Sequence, residues 1–420
     1  MTVEEEWEKL ISENRSIYIY GAGNIGKKIL DLLHKTKGAE KKIKGFLVSD
    51  LTGNPAKIQE YPVMVPEDIV NREDLVLISV TDIYQETILS DLRSMGFKNV
   101  AIAYKYSFLV DDLDCNFPKT MVIDTNELML CQYKENQFNR YDIIVRLLAV
   151  KHYYGQNTYG SNLYEKMQNI RSEDENYGNI SRKRFAELIK SFEENGYNSN
   201  SELVIDEKLH LVDGSHRLAL ALYFAVPRLK VRIVERKEEI YYGKDWFVKS
   251  FSSEECKIIE ETFLLSEKSW FGSIKGILWP SVAGYFDEIV ETINNQYEVS
   301  NIKDYVFDAK EFRKIVYKIY QVDSIAEWKI NTKLKYMSPF SPYRIRIFDI
   351  DMGNPEFRMK KAVVGILSDK GAELKERIRE LYMGKVPGYF SDIIFHTADN
   401  FYQSNYMESL FCDEASNTQL

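Results

Sequence analysis

A glycine-rich turn near the N-terminus constrains the fold more than any other stretch of this chain. The β-prone run Ser16–Tyr20 leads into Gly21-Ala22-Gly23-Asn24-Ile25-Gly26, and apolar residues at helical spacing follow it. Glycines at this spacing permit a tight turn and let a ligand approach the backbone closely. Because a strand precedes the turn and a helix follows it, the sequence predicts a parallel strand–helix–strand unit.

The same alternation of strand and helix patterns continues through the first quarter of the chain. The patterns are the strands Ile43–Val48, Leu75–Val80 and Asn99–Ala103 and the helix Tyr84–Met95. They predict a Rossmann-like, doubly wound parallel sheet over residues 1–112. Asp50 follows the second strand, where its carboxylate can accept a hydrogen bond from a ribose hydroxyl. A domain of this type that holds no ligand and only docks against its neighbours remains the alternative.

Three segments of this region carry a family resemblance: Tyr20–Gly26, Gly45–Asp50 and Tyr61–Val63. They resemble the N-terminal domain of bacterial sugar O-acyltransferases and of many surface-polysaccharide proteins. In those enzymes the domain binds a nucleotide-sugar. The resemblance therefore implies that the three glycines of the turn and Asp50 bind a nucleotide-sugar in this chain.

A second glycine-containing turn, Asp213-Gly214-Ser215-His216-Arg217, lies in the middle of the chain. It follows two short apolar runs and leads directly into the helical pattern Leu218–Leu222. A strand, a turn and a helix N-terminus bring backbone N–H groups and the positive end of the helix dipole together. Arginine and histidine add donors that suit phosphate. We therefore predict that a nucleotide binds here, the alternative being a tight turn in which His216 and Arg217 are structural.

The order of elements around this turn resembles the ParB/sulfiredoxin-like fold, including its free-serine kinases. The order is a strand pair, the turn, a helix and the closing strand Leu229–Val234. The resemblance implies an α+β nucleotide-binding domain over residues 118–260, in which Gly214 to Arg217 contact phosphate and Asp213 orients the turn or helps to hold Mg²⁺. Sulfiredoxin needs a cysteine where Ser215 stands, so its sulfur chemistry is excluded. No basic recognition helix follows, which disfavours chromosome partitioning.

Besides a site for the nucleotide phosphates, a kinase needs a carboxylate that positions the acceptor hydroxyl and takes up its proton. In the serine kinases that the middle region resembles, a glutamate early in the domain has this role. Glu127 and Glu135 are the candidates here, with Asp142 beside Arg140 as a further option. Asp213 and His216 join them as catalytic candidates at the turn. The plain alternative for each glutamate is a solvated surface carboxylate.

Two further patterns organise the middle region. Residues 155–180 are rich in glycine, asparagine, tyrosine and serine, which predicts an extended loop or lid. The next segment begins at a potential N-cap, Ser181, carries one apolar stripe and ends at Gly196, which predicts a helix between these residues.

The C-terminal region, residues 265–420, is predicted as an α/β or α+β domain of unassigned fold. Its strand pattern Tyr343–Asp351 alternates with period 2 and places Arg344 and Arg346 on one face. Arg358 follows shortly after. Together with Lys360 and Lys361, the three arginines can supply positive charge for a nucleotide or a diphosphate, or these basic residues can pair with nearby acids.

A polar trio, His396, Asp399 and Asn400, follows an apolar run near the C-terminus. Loops at strand ends commonly carry chemistry, so we predict that the trio binds substrate through a phosphate, a metal or a sugar hydroxyl. The alternative is that the three residues only organise a turn.

Composition narrows the classes of partner. The chain has 420 residues and a net charge of -9, which argues against a nucleic-acid partner because such a partner needs a basic face. Its four cysteines are scattered without a Cys-x-x-Cys pair, which disfavours metal clusters and a disulfide framework. The N-terminus is acidic and unlike a signal peptide, and no apolar run is long enough to span a membrane. These features predict a cytoplasmic protein; a homo-oligomer stays open.

Taken together, the motifs favour an enzyme that uses ATP or another nucleoside triphosphate, with Mg²⁺, to phosphorylate a small hydroxylated acceptor. The acceptor is expected to be a sugar or an amino acid in bacterial surface-polysaccharide biosynthesis. Two alternatives stay open. One is a regulatory module that binds nucleotide and nucleotide-sugar without turnover, and the other is a transferase whose active site lies in the C-terminal domain.

Overall fold

The structure is a computed structural model that describes residues 3–80, 82–109, 119–198, 201–235, 241–322, 325–360, 365–387, 389 and 393–414. It is a mixed α/β protein with several β-sheets, which confirms the predicted fold class at this level. The chain divides into two compact units. Unit 1 holds Met1–Asp114, Gln168–Arg184 and Val234–Lys237, and unit 2 holds Cys115–Met167, Phe185–Ile233 and Glu238–Leu420.

The N-terminal part of unit 1 alternates strands and helices as predicted. Its elements are α1 (Val3–Glu13), β1 (Ile17–Tyr20), α2 (Asn24–Lys35), β2 (Ile43–Leu47), β3 (Lys57–Ile58), β4 (Tyr61–Met64), β5 (Leu75–Ile78), α3 (Asp82–Ser94) and β6 (Val100–Ile102). The sheet order is β3-β4-β2-β1-β5-β6, and every pairing is parallel except β3 with β4. The glycine-rich turn follows β1, whose neighbours β2 and β5 lie on opposite sides. In open α/β sheets such a switch point is where ligands bind.

The three glycines of this turn lie in different environments, so the physical constraint on each position differs. Gly21 has a φ of +115°, and a Cβ there would lie 2.8 Å from the carbonyl oxygen of Ser79. A Cβ on Gly26 would lie only 1.9 Å from the carbonyl oxygen of Gly21, because the first turn of α2 packs directly on the end of β1. Gly23 is the N-cap of α2, and nothing lies within 4 Å of its Cβ position. Packing thus requires two of the glycines, while the third faces open space.

A smaller sheet lies in the middle of the chain. The elements there are β7 (Thr120–Asp124), α4 (Thr125–Leu130), β8 (Tyr133–Lys134), β9 (Gln137–Phe138), α5 (Tyr141–Tyr153), α6 (Gly160–Ser172), α7 (Tyr177–Asn195), β10 (Leu203–Asp206), β11 (Leu211–Asp213), α8 (Ser215–Tyr223) and β12 (Arg228–Val234). The sheet has the order β11-β10-β12-β7, and β8 and β9 form a separate hairpin. The predicted strand pair, turn, helix and closing strand are therefore confirmed as secondary structure.

The prediction of a loop or lid over residues 155–180 is wrong, because α6 and the start of α7 occupy most of it. The Asn157 side chain accepts hydrogen bonds from the backbone N–H groups of Tyr159 and Gly160 and so starts α6. Gly160 also allows α6 to approach α5, since a Cβ there would lie 2.0 Å from the carbonyl oxygen of Leu148. The residue types that suggest a loop serve here as a helix cap and a close helix contact.

A third sheet lies in the C-terminal part of unit 2, so unit 2 contains both this sheet and the middle one. The elements are α9 (Lys244–Val248), α10 (Ser253–Glu267), β13 (Ile274–Leu278), α11 (Phe286–Asn294), β14 (Glu298–Phe307), α12 (Ala309–Gln321), α13 (Glu327–Met337), β15 (Tyr343–Asp351), β16 (Phe357–Met359), β17 (Ile366–Ser368), α14 (Asp369–Tyr382), β18 (Phe395–Thr397) and α15 (Phe401–Glu414). The sheet order is β14-β15-β13-β18, and each pairing is antiparallel. Among the described residues, no helix is long and apolar enough to cross a membrane.

Gly26→Ala should destabilise the first sheet, whereas Gly23→Ala should leave it nearly unchanged. The added methyl group at residue 26 meets backbone that cannot move away, so we expect a loss of roughly 2–4 kcal/mol in the stability of unit 1. At residue 23 the methyl group meets open space, and the change should stay within about 1 kcal/mol. Hydrogen–deuterium exchange of the β1 and β5 peptides measures both effects. Equal exchange in the two variants would contradict this packing.

Candidate functional site

The turn after β11 leads through a single glycine into the first residue of α8. Gly214 is the N-cap of α8, with a left-handed φ of 102°. A Cβ on Gly214 would lie 2.9 Å from Cγ of Leu203, so packing as well as conformation favours glycine there. Glycine offers no side chain to cap the helix. Backbone N–H groups in the first turn of a helix have no partner within the helix itself, and they are the groups that bind anions at helix N-termini.

A buried group of charged side chains lies next to this turn. The Arg140 guanidinium donates to the Asp142 carboxylate through Nε (2.8 Å) and Nη2 (3.1 Å), and Arg146 Nη1 donates to the same carboxylate (2.9 Å). Arg140 also donates through Nη1 to the Leu211 carbonyl oxygen at the end of the hydrogen-bonded strand pair. Its Nη2 donates to Ser215 Oγ at 3.0 Å. The Asp142 carboxylate thus lies between two guanidinium groups, and one of them, that of Arg140, also contacts Ser215, the first residue of α8.

Burial makes this arrangement electrostatically strong. Arg140, Asp142 and Arg146 are 3%, 0% and 1% exposed. Charges so deep in the protein are poorly screened, and an arginine keeps its charge at all ordinary pH values. Because Ser215 Oγ accepts from Arg140, the serine hydroxyl keeps its own proton to donate toward the turn. The site therefore offers a neutral donor that is polarised by a buried cation.

Arg217 and Asp213 tie the turn to its neighbours. Arg217 Nη2 lies 3.2 Å from Asp213 Oδ2, and its Nη1 donates to Ser201 Oγ and to the Glu202 carbonyl oxygen (2.7 Å). The side chain of Asp213 remains 36% exposed. Arg217 thus has a structural role before any ligand binds, and a phosphate contact from it stays a prediction.

His216 points into an aromatic environment. Its Nε2 lies 2.7 Å from the Tyr164 hydroxyl, and its ring is 4.7 Å from the Phe185 ring in an edge-on arrangement. These contacts position α6 and α7 residues against the start of α8. They do not test the predicted phosphate contact or catalytic role of His216.

The two candidate glutamates have very different surroundings. Glu127 is 2% exposed, and its Oε1 accepts from the Phe401 N–H at the start of α15 (2.6 Å). It also completes the capping box of α4 with Asp124. Burial, and then the neighbouring Asp124 carboxylate, raises the pKa of Glu127 to about 7. Glu135 is an exposed residue with a φ of 49° in the β8–β9 turn. A catalytic role for either glutamate stays a prediction.

In unit 1, the predicted ligand residues lie at the carboxyl ends of neighbouring parallel strands. Gly23 begins α2 after β1, and Asp50 follows the end of β2. Asp50 Oδ1 accepts from the Thr52 N–H at 2.9 Å, and this hydrogen bond lowers the pKa of Asp50. Asp50 therefore organises its own loop as an ionised carboxylate. Its predicted contact to a ribose stays a prediction.

The C-terminal arginines lie in ion pairs. Arg344 and Arg346 share one face of β15, as the period-2 pattern predicts, and both donate to Asp304. Arg346 Nη1 also contacts Asp287. Burial alone would raise the pKa of Asp304, but the hydrogen bonds from the two arginines lower it. Arg358 pairs with Asp369 outside this group. Pairing with nearby acids was the alternative for these residues, and binding of substrate stays untested.

The polar trio at the end of β18 separates into three environments. Asn400 Oδ1 accepts from the Gln403 N–H and starts α15, while its Nδ2 donates to the Ile366 carbonyl oxygen. Asp399 contacts Lys360 Nζ at 2.6 Å and Lys375 Nζ at 3.5 Å. His396 is 4% exposed within β18. Burial and the charges of Lys375, Lys333, Arg379 and Lys360 lower the pKa of His396. Of these four cations, the sequence indicated only Lys360, which follows Arg358; Lys361 lies outside the described residues.

Comparisons with known proteins add no family assignment. No family model matches this chain, and no curated protein sequence or solved structure matches it either.

Glu127→Gln should flatten the dependence of stability on pH. The folded-state pKa of about 7 exceeds the ordinary value of 4.5, so the folded protein keeps a proton between these pH values that the unfolded chain has lost. The contribution of Glu127 to the free energy of unfolding is therefore fully present below pH 4.5 and is lost as the pH rises through about 7. Glutamine does not titrate and still accepts from the Phe401 N–H. Urea unfolding at pH 5 and pH 8 should show a smaller pH-dependent loss in the variant, by roughly 3 kcal/mol.

Glu135→Gln is the matched control, because Glu135 is exposed and its variant should keep the wild-type pH profile. Parallel profiles for Glu127→Gln and the wild type would contradict the raised pKa of Glu127.

Proposed function

We propose that the protein binds the phosphate groups of a nucleoside triphosphate at the start of α8 and transfers one of them to a small hydroxylated acceptor. The observation that carries this proposal is the hydrogen bond from buried Arg140 to Ser215 Oγ. It puts a permanent cation, a polarised hydroxyl and the positive end of a helix at one point. Oxygen-rich anions are the ligands that such a point stabilises best.

The transfer step assigns a role to each group at the turn. The acceptor oxygen attacks the γ-phosphorus, the bond to the bridging oxygen breaks, and the nucleoside diphosphate leaves. Ser215 and the N–H groups of α8 donate to the phosphate oxygens, where negative charge must be held during the transfer. Asp213, with its partly exposed carboxylate, takes the proton of the acceptor hydroxyl.

The residues at the turn are compatible with Mg²⁺. Magnesium in phosphate sites typically takes one or two protein carboxylates and fills its remaining positions with phosphate oxygens and water. As the alternative to taking the acceptor proton, Asp213 would supply one such carboxylate beside the turn. When bound, the ion would neutralise phosphate charge. No group of three or more metal-binding side chains occurs in the described part of the chain, which is the arrangement an all-protein metal cage would need.

For the acceptor we propose a sugar, or an amino acid, of bacterial surface-polysaccharide biosynthesis. Support comes from unit 1, where Gly23 leaves open space at the start of α2 after a central parallel strand. That position suits the diphosphate of a nucleotide-sugar. The resemblance to the N-terminal domain of sugar O-acyltransferases points to the same ligand class.

A regulatory module that binds nucleotide without turnover is the second candidate. One observation favours it: the carboxylate of Glu127 is occupied by the N-terminus of α15 and by its own capping box. Glu135 lies in an exposed hairpin turn. Only Asp213 then remains, among the proposed catalytic carboxylates, to steer the acceptor proton.

Ser215→Ala should weaken nucleotide binding roughly tenfold, because it removes one hydrogen bond to a charged phosphate group. Isothermal titration with ATP and Mg²⁺ measures the affinity. Release of ADP in the presence of sugar and amino-acid acceptors measures the transfer. Ser253→Ala is the matched control, since Ser253 is also the first residue of a helix, α10, and is exposed. Equal affinity in the wild type and Ser215→Ala would refute the proposed phosphate site. Binding without ADP release for any acceptor would favour the second candidate.

A further inference from the structure

A buried histidine lies in β18, the last strand of the C-terminal sheet order. His396 pairs with Ile277 of the neighbouring strand β13. Its ring lies against two aromatic side chains, with ring centres 5.1 Å from Tyr320 and 6.4 Å from Trp279. The Trp279 and Tyr320 rings stack on each other. An aromatic wall therefore lines one side of His396.

Among the described residues, Nε2 of His396 and Nε1 of Trp279 are buried side-chain atoms without a hydrogen-bond partner. His396 is 4% exposed and Trp279 is 0% exposed, so bulk water does not satisfy these atoms. An unsatisfied buried polar group costs about 1–3 kcal/mol. Native proteins rarely leave such groups unsatisfied, and a bound molecule is one way to complete them.

Cationic side chains from separate elements surround the same histidine. Lys333 of α13 lies over the Tyr320 ring at 4.1 Å, and Lys360 follows β16. Lys375 and Arg379 belong to α14, and Arg379 Nε donates to the carbonyl oxygen of Phe395, the residue before His396. Burial, together with these four cations, holds the pKa of His396 well below its usual value. The histidine is therefore neutral at physiological pH, and its ring can donate through Nε2.

We propose that this cluster is a second anion site, which binds the phosphate group of a small ligand. His396 Nε2 and the Trp279 indole donate to the phosphate oxygens, and Lys333, Lys360 and Lys375 supply the opposing charge. Phosphate fits because its several oxygens and double charge can engage neutral donors and ammonium groups together. The site lies apart in sequence from the turn at Ser215 and uses none of its residues.

Solvent reaches the cluster from the side of Lys360 and Lys375. Their side chains are 16% and 17% exposed, and the Asp399 carboxylate that joins them is 16% exposed. Burial alone would raise the pKa of Asp399, but Lys375 and Lys360 lower it. Asp399 therefore stays ionised and holds the two ammonium groups in place. A phosphate entering from this side meets two fixed cations before it reaches the buried histidine.

Histidine NMR on the full chain tests the proposal, because the sequence contains only five histidines. Titration with inorganic phosphate should shift the imidazole signals of His396 and raise its pKa, since an adjacent anion stabilises the protonated ring. Lys333→Gln should weaken phosphate binding at His396 roughly tenfold, which is the usual effect of losing one charge-assisted contact. His396 signals that ignore phosphate at millimolar concentrations would overturn the proposal.

Lys329→Gln provides the matched control, because Lys329 lies on the same helix as Lys333 and is exposed. Its titration should equal that of the wild type. Equal weakening in both lysine variants would mean that phosphate responds only to overall charge, and it would overturn the site. Ser215→Ala separates this proposal from the nucleotide site. If both proposals hold, that variant loses nucleotide affinity yet keeps the response of His396 to phosphate.

Discussion

The buried guanidinium of Arg140 is the interaction on which the middle of this protein depends. It joins the start of α5, the first residue of β11 and the first residue of α8 through Asp142, Leu211 and Ser215. A buried arginine is costly unless all its donors are used, and removing one partner leaves a charge without compensation. Arg140 therefore fixes where α8 begins relative to its sheet. The candidate phosphate site is a direct consequence, because the same guanidinium that orders the turn also polarises it.

Glu127 makes an equivalent connection elsewhere in unit 2. It closes the capping box of α4, which follows the first strand of the middle sheet, and accepts from the first N–H of α15, which follows the last strand of the C-terminal sheet. A single carboxylate thus serves two helix N-termini. Its high pKa is the energetic cost of this position, since burial disfavours the charge that the two helices would otherwise stabilise. The two sheets of unit 2 are coupled through a group that titrates near neutral pH.

Local patterns predicted the elements well where periodicity and turn chemistry agree. The strand Tyr343–Asp351 and the alternation through the first hundred residues match the structure closely. The failure at residues 155–180 has a physical cause: Asn157 and Gly160 read as loop residues until their partners in α5 and α6 are known. Composition alone shows which residue types are present. The structural role of a residue also depends on the neighbours that the fold places beside it.

Local sequence patterns predict the candidate sites less completely than they predict the helices and strands. The turn at Gly214 is contiguous, so its residue types and spacing were enough to single it out. Arg140 also stood out beside Asp142, but nothing local showed that it reaches Ser215, which lies far away in sequence and 3.0 Å away in space. The cations around His396 come from α13, α14 and the segment after β16, so no motif connects them.

The overall negative charge of the chain limits how the two proposed sites can attract an anionic ligand. A net charge of -9 gives an anionic ligand no long-range attraction to the protein as a whole. Beyond about 10 Å, salt screens most of that unfavourable field, while contacts at buried groups are screened far less. In both of the sites that we propose, recognition of phosphate therefore relies on short-range donors held in place by the fold. Arg140 behind Ser215, and the lysines beside His396, are cations of this kind, because each is oriented by a specific carboxylate, carbonyl oxygen or aromatic ring.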